Sequence, residues 1–233
     1  MAAKAWLQLA KVADTAARAQ SEGLGWLTAL EQQRLAAMQA APRRESFIAG
    51  HWLARQLAAR WLGEASATLT LAAHPDGRPL LLRGGDTLPL SLSLSHSGGW
   101  LALALSDAAV GVDIELPQRE RNWEALAAFT FSEEESQRVC CAEPAQQRTV
   151  FHTLWTLKEA RGKRSGEGLL PQAARKVSAL VCMPAESEAR SWVWQDGALA
   201  LALAASAQLE LVETPQLQTP HYWRYAQAAS VLD

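Results

Sequence analysis

The stretch SLSLSHSGGWLALALSD, residues 91–107, restricts the possible folds more than any other part of the chain. Leucines recur at every second position on both sides of Ser97-Gly98-Gly99. That is the period of a strand and not of a helix, and the glycine pair suits a tight reversal. An antiparallel hairpin is expected, with a bulky apolar face on each arm. A third strand follows in AVGVDIEL, residues 109–116, with Val110, Val112 and Ile114 on one face and Gly111, Asp113 and Glu115 on the other.

Around this hairpin the pattern changes character twice. Residues 28–62 are rich in Ala, Leu, Gln and Arg and read as helix, interrupted at Pro42 and stopped at Gly63. Short strands are expected at Leu69–Leu71, Leu80–Leu82, Leu90–Leu94 and Leu101–Leu105, separated by DGRP, RGGD and HSGG turns. Helix is expected over 122–139 and 145–163, then strands near 176–182, 191–195, 199–204 and 208–213. Leu alternates with Ala through GALALALAASA, residues 197–207, which reads as a strand with one bulky face. Helix followed by strands thus occurs once in each half. The expected class is α+β with antiparallel sheet, not the alternating order of a doubly wound fold.

Composition narrows the function. With 49% hydrophobic and 20% charged residues in 233, the chain can bury a substantial core. A net charge of −2 gives no global signal for nucleic acid. Lys4 and Lys11 interrupt the N-terminal apolar stretch, which argues against a signal peptide or a membrane span. Three cysteines, two of them adjacent, build neither a disulfide framework nor a metal-ligand spacing. A cytoplasmic monomer is expected, bound to neither nucleic acid nor membrane.

The chemistry-bearing residues fall on three elements. Asp113 and Glu115 share a strand face, about 6.5–7 Å apart by strand rise. Like charges that close repel unless a cation or proton lies between them, and hard oxygens suit Mg²⁺. A solvated sheet edge is the other reading of the same pair. In WTLKEARGK, residues 155–163, Trp155, Glu159 and Lys163 are spaced four apart and share one helix stripe. Glu159 offers a third carboxylate and Lys163 a point charge for phosphate, unless the two form an ordinary surface pair. Trp155 is read as core. His96, between Ser95 and Ser97 and before two glycines, stands in a turn suited to an anion or merely to solvent.

Together, LSLSHSGGWLALALSD, VGVDIE and WTLKEARGK with GEGL resemble the Sfp-type 4′-phosphopantetheinyl transferases, with PRRESFIAGHWLAR and DGRPLL upstream. The likeness runs from about residue 42 to 170 and is strongest to the branch serving acyl carrier proteins. It implies two similar α+β halves in pseudo-twofold arrangement, divided as 1–107 for coenzyme A and 108–233 for the metal. It implies Asp113, Glu115 and Glu159 as Mg²⁺ ligands, with Glu159 and Lys163 catalytic. Coenzyme A contacts are implied at Gly77-Arg78-Pro79, Ser95, His96, Lys158 and Lys163, with Arg in place of the family's usual Lys at 78. The family's 3′-phosphate arginine aligns with Ser46, so Arg43 or Arg44 is expected to serve instead. An apo acyl carrier protein is the implied partner, docking on residues 119–131 through Arg119, Arg121 and Trp123. A Mg²⁺-dependent phosphoesterase and a binding-only homologue are the alternatives.

Overall fold

The computed structural model describes residues 3–116, 119–168, 174–193, 199–205, 209–213 and 217–228. The chain is α+β and its sheets are mostly antiparallel. It opens with strand β1 (Lys4–Lys11) and helices α1 (Val12–Ser21), α2 (Ala29–Ala37) and α3 (Ala41–Leu62). Strands β2 (Leu69–Ala73), β3 (Pro79–Arg83), β4 (Asp86–Thr87), β5 (Ser91–Ser97), β6 (Trp100–Ser106) and β7 (Gly111–Glu115) follow. Then come α4 (Trp123–Thr130), α5 (Glu133–Cys140) and α6 (Pro144–Ser165), and strands β8 (Val177–Val181), β9 (Ala189–Val193), β10 (Ala200–Ala204), β11 (Glu210–Glu213) and β12 (His221–Gln227). Among the described residues no helix is long and apolar enough to cross a membrane.

The expected hairpin is β5–β6, with Ser97 opposite Trp100. Gly98 and Gly99 both have positive φ, 54° and 80°, which a two-residue reversal of this hand requires. Helix was expected unbroken over 122–139. It is two helices, because Phe131 is extended and Ser132 caps α5 in a reciprocal box with Glu135. Strands β1 and β12 and helix α1 were not foreseen. In β1 and β12 lysines, arginines and glutamines interrupt the apolar alternation. Parts of the strands expected at 191–195 and 208–213, namely 194–195 and 208, lie outside the described residues, as do 197–198 and 206–207 of the Leu/Ala run.

Three sheets form, ordered β11-β1-β6-β5, β7-β10-β9-β12-β8 and β2-β3-β4. The Leu/Ala alternation sets how the first two stack. In β6, Leu101, Leu103 and Leu105 pack with the helices of the N-terminal half, while Ala102 and Ala104 face the junction between sheets. In β10 the sense is reversed: Leu201 and Leu203 fill the junction, and Ala202 and Ala204 lie in the cluster under α6. Small residues from one sheet thus meet large ones from the other, so the two faces interdigitate. Helices α3 and α6 correspond: each has 22 residues, proline in its first turn and a left-handed glycine (Gly63 or Gly166) at its end.

The two main sheets meet edge to edge at β5 and β7. Serine hydroxyls take the place of a backbone ladder there. Ser91, Ser93 and Ser97 Oγ accept from the amides of Val110, Val112 and Leu116 at 3.0–3.1 Å, each pair 19 residues apart. Constant separation means that the strands run in the same direction.

A buried polar cluster anchors α2 to α3. Glu31 accepts two hydrogen bonds from Arg55 Nη2, at 2.7 and 2.9 Å, and one contact of 2.6 Å from His51 Nδ1. Burial alone would raise the Glu31 carboxyl. Hydrogen bonds from His51, the Thr28 amide and Arg55 outweigh it and hold the pKa at about 2. A folded pKa below the unfolded one stabilises above about pH 4.5, and that contribution is lost as pH falls toward 2. Glu31→Gln should therefore cost on the order of 3 kcal/mol near neutrality. Urea denaturation at pH 7 and at pH 3 should show the gap between variant and wild type narrowing in acid. A gap that does not depend on pH would contradict this account.

Candidate active site

Gly111 decides where α6 lies. A Cβ at this position would run into the Ala160 carbonyl oxygen and the Arg164 amide, so the helix rests directly on β7. That contact brings the Trp155–Glu159–Lys163 stripe beside Asp113 and Glu115. Asp113 is 4% exposed, and its Oδ1 accepts from Lys163 Nζ and Ser95 Oγ, both at 2.7 Å. Its Oδ2 is buried and has no hydrogen-bond partner among the described residues. Glu115 accepts from Ser97 Oγ at 2.9 Å, and the Trp155 indole also bonds it. Trp155, expected as core, is only partly buried and lines a cavity.

The electrostatics follow from this crowding. Burial, then the Asp113 charge, pushes Glu115 above the usual carboxylate value, against the hydrogen bonds from Ser97 and Trp155. Burial and Asp113 likewise raise Glu159, and Lys163 offsets only part of the effect. His96 keeps an exposed edge, yet desolvation and then the Lys163 charge hold its imidazole below its ordinary value. Among the described residues no three His, Cys, Asp or Glu side chains are arranged to hold a metal ion as they stand, and Lys163 occupies one oxygen of Asp113. The donor set nevertheless fits a hard cation. It combines three mutually repelling carboxyl groups with one buried oxygen that lacks a partner among the described residues.

Two cavities flank the hairpin tip. The larger, about 690 Å³, is lined by Ser97, Glu115, Arg119, Arg121, Trp123 and Trp155, among others. The smaller, about 350 Å³, includes Arg34, Arg43, His51, Gly77, Pro79 and His96. Neighbouring residues of one strand, His96 and Ser97, therefore serve opposite cavities, as the strand period requires.

Several expected site residues stand elsewhere. Lys158 is 3% exposed and on another side of α6. It pairs with Glu135 at 2.7 Å and donates to the carbonyls of Ala174 and Val177, so it holds α5 and β8 instead of reaching a ligand. Arg44 turns back to the Leu35 carbonyl at 2.8 Å, which leaves Arg43 as the arginine of that pair lining the smaller cavity. Arg78 is paired with Asp76 at 2.7 Å, and only its neighbours Gly77 and Pro79 line that cavity. Trp123 is 6% exposed and packs on Phe151, forming a cavity wall and not an outer surface. Sequence reasoning missed the serines at 91, 93 and 97, whose period-two spacing was the available signal. It also missed His51 and Arg34, which carry no local signature.

Residues 109–200 match the sequence model of the 4′-phosphopantetheinyl transferase superfamily. Among individual proteins, it is 39% identical to the 4′-phosphopantetheinyl transferase AcpT of Escherichia coli (strain K12) over 115 residues, covering 46% of this chain and 57% of that protein. It is 37% identical over 126 residues to AcpT of Salmonella typhimurium, covering 53% and 60%. A 4′-phosphopantetheinyl transferase of Bacillus subtilis is 29% identical over 156 residues, 61% and 67% of the two chains. The chain thus spans under two thirds of the length of the two AcpT relatives.

Gly111→Ala tests the geometry directly. The added methyl must push α6 off β7, at about 1–3 kcal/mol for overpacking. A lowered melting temperature should accompany loss of the carboxylate cluster. An unchanged melting temperature would mean that α6 does not rest on this glycine.

Proposed function

We propose that the protein is a Sfp-type phosphopantetheinyl transferase of the holo-acyl-carrier-protein synthase kind. It moves the 4′-phosphopantetheine arm of coenzyme A onto a serine of an apo acyl carrier protein. The observation that carries this reading is the gathering of Asp113, Glu115, Glu159 and Lys163 at a hairpin tip between two cavities, in a chain whose residues 109–200 match this superfamily. Coenzyme A is long enough to need both. Its nucleotide end would lie among Arg43, Gly77, Pro79 and His96, mostly on the 1–107 side. Its arm would point toward the larger cavity on the 108–233 side, where Arg119 and Arg121 stand.

The diphosphate then falls at Lys163 and Ser95. Asp113, Glu115 and Glu159 would hold Mg²⁺, which supplies neutralisation of charge on the diphosphate. Lys163, freed from Asp113, faces the oxygen that leaves. Glu159, raised by burial and by the Asp113 charge, would take the proton of the carrier serine. The serine oxygen bonds to the β-phosphorus as the bond to the bridging oxygen breaks, releasing adenosine 3′,5′-bisphosphate. Free thiols at Cys140, Cys141 and Cys182 agree with a reducing, cytoplasmic setting.

An apo acyl carrier protein incubated with coenzyme A and Mg²⁺ should gain about 340 Da, the mass of the arm. Asp113→Ala, Glu115→Ala and Glu159→Ala should each slow transfer by at least ~10²-fold. Release of adenosine 3′,5′-bisphosphate with no mass gain on the carrier would favour a phosphoesterase. Near wild-type transfer by Asp113→Ala would remove the carboxylates from the mechanism.

The partner surface rests on the rim of the larger cavity. Arg119 and Arg121 are exposed there, and Phe129 is 69% exposed beside them. An apolar patch rimmed by arginine suits an acidic helix. Charge reversal at both arginines should raise the KM for the carrier, more at low ionic strength, and leave coenzyme A affinity alone. A carrier KM that stays unchanged in low salt would place docking on another surface.

A further inference from the structure

The turn between β2 and β3 is seated on the end of helix α6. Within the turn, Asp76 Oδ2 accepts from Arg78 Nε at 2.9 Å and from Nη2 at 2.7 Å, and Oδ1 accepts from the Arg78 amide at 3.0 Å. These bonds, those from the side chain first, hold the Asp76 carboxyl below the usual carboxylate value. His74 closes the other side, its Nδ1 lying 2.8 Å from Asp76 Oδ1. The pair rests against another element. A Cβ added to Gly166 would lie 2.7 Å from Asp76 Oδ2 and 2.8 Å from Arg78 Cζ and Nε. Carboxylate and guanidinium therefore lie on the bare backbone that ends α6, the helix of Glu159 and Lys163. The negative end of that helix also suits a cation.

One turn thus faces two ways. Gly77 and Pro79 line the smaller cavity, while Arg78, between them, meets α6 instead. We propose that Arg78, held by Asp76, is a positioning residue that seats the β2–β3 turn on Gly166 and keeps the wall of the smaller cavity in register with Lys163. It acts on coenzyme A through Gly77 and Pro79 and touches no phosphate. A guanidinium is what this needs: two of its nitrogens hold one oxygen of Asp76 while its centre lies against the helix end. A lysine ammonium, a point charge, cannot do both. This inference rests on the transferase reading above, in which coenzyme A spans the smaller cavity and Lys163.

A direct phosphate contact by Arg78 would give one substitution the opposite sign. Asp76→Ala would free such an arginine and tighten coenzyme A binding. An arginine that seats the turn loses its hold instead, and affinity should fall about three- to fivefold. Arg78→Ala and Arg78→Lys should weaken binding by about as much. The double variant, Asp76→Ala with Arg78→Ala, should be no weaker than either alone, because the two side chains act as a unit. Calorimetric titration with coenzyme A and with 3′-dephospho-coenzyme A should show the same loss for both ligands, since no phosphate contact is removed. Exposed ion pairs add little to folding, so melting temperatures should stay near that of wild type. Tighter binding by Asp76→Ala overturns the inference and leaves the transferase reading standing. Wild-type affinity in Arg78→Ala or Arg78→Lys does the same, as does a loss confined to coenzyme A. Failure of wild type to bind either ligand overturns both.

Discussion

The hydrogen bonds between the β5 serines and the β7 amides are the constraint on which the rest of this structure depends. Each sheet ends in an unpaired edge at that line, and buried amides left open there would cost about 1–3 kcal/mol apiece. Hydroxyls of Ser91, Ser93 and Ser97 accept from them. A direct backbone ladder would merge the edges into one continuous sheet. Side-chain rungs keep the strands farther apart, which leaves room at the end of the seam for a ligand. The seam also sets the register of Asp113 and Glu115 against the hairpin tip, since Ser95 and Ser97 bond those two carboxylates.

The same alternation that closes the seam also creates the local strain. Every second residue of β7 faces α6, so Gly111 admits the helix and Asp113 and Glu115 must then meet Glu159. Three carboxyl groups and one ammonium leave an excess of negative charge in a partly desolvated place. The raised values of Glu115 and Glu159, and an Asp113 Oδ2 without a partner among the described residues, are its consequences. A core chosen for stability alone would not keep this arrangement. Sites that bind charge generally give up stability in this way.

Much of this was legible in the sequence because it is periodic. Leucine spacing gave the hairpin, and the strand parity of 110–116 placed carboxylates opposite valines. The four-residue stripe of α6 put Glu159 and Lys163 on one side. What was not legible depends on contacts between distant segments. Lys158 looks from its neighbours like part of the ligand set, but Glu135, reached only through the capping box of α5, claims it. Arg43 and Arg44 are equivalent on paper. The difference arises because α2 ends where the Leu35 carbonyl, which also accepts the Met38 amide, can capture Arg44. Strands β1 and β12 fill places whose apolar pattern is too weak to declare itself.

The two cavities follow from one geometric fact. A strand sends successive side chains to opposite faces, so a hairpin tip standing between two sheets presents His96 to one side and Ser97 to the other. A molecule lying across the tip is met by different chemistry at each end. One end has Arg34, Arg43 and the two imidazoles His51 and His96. The other has the walls of Trp123, Phe151 and Trp155, with arginines at the rim. At the tip Ser95, next to His96, bonds Asp113, which also holds Lys163. Division of labour between a cationic pocket and an apolar one therefore needs no separate domain for each, because the strand period supplies it.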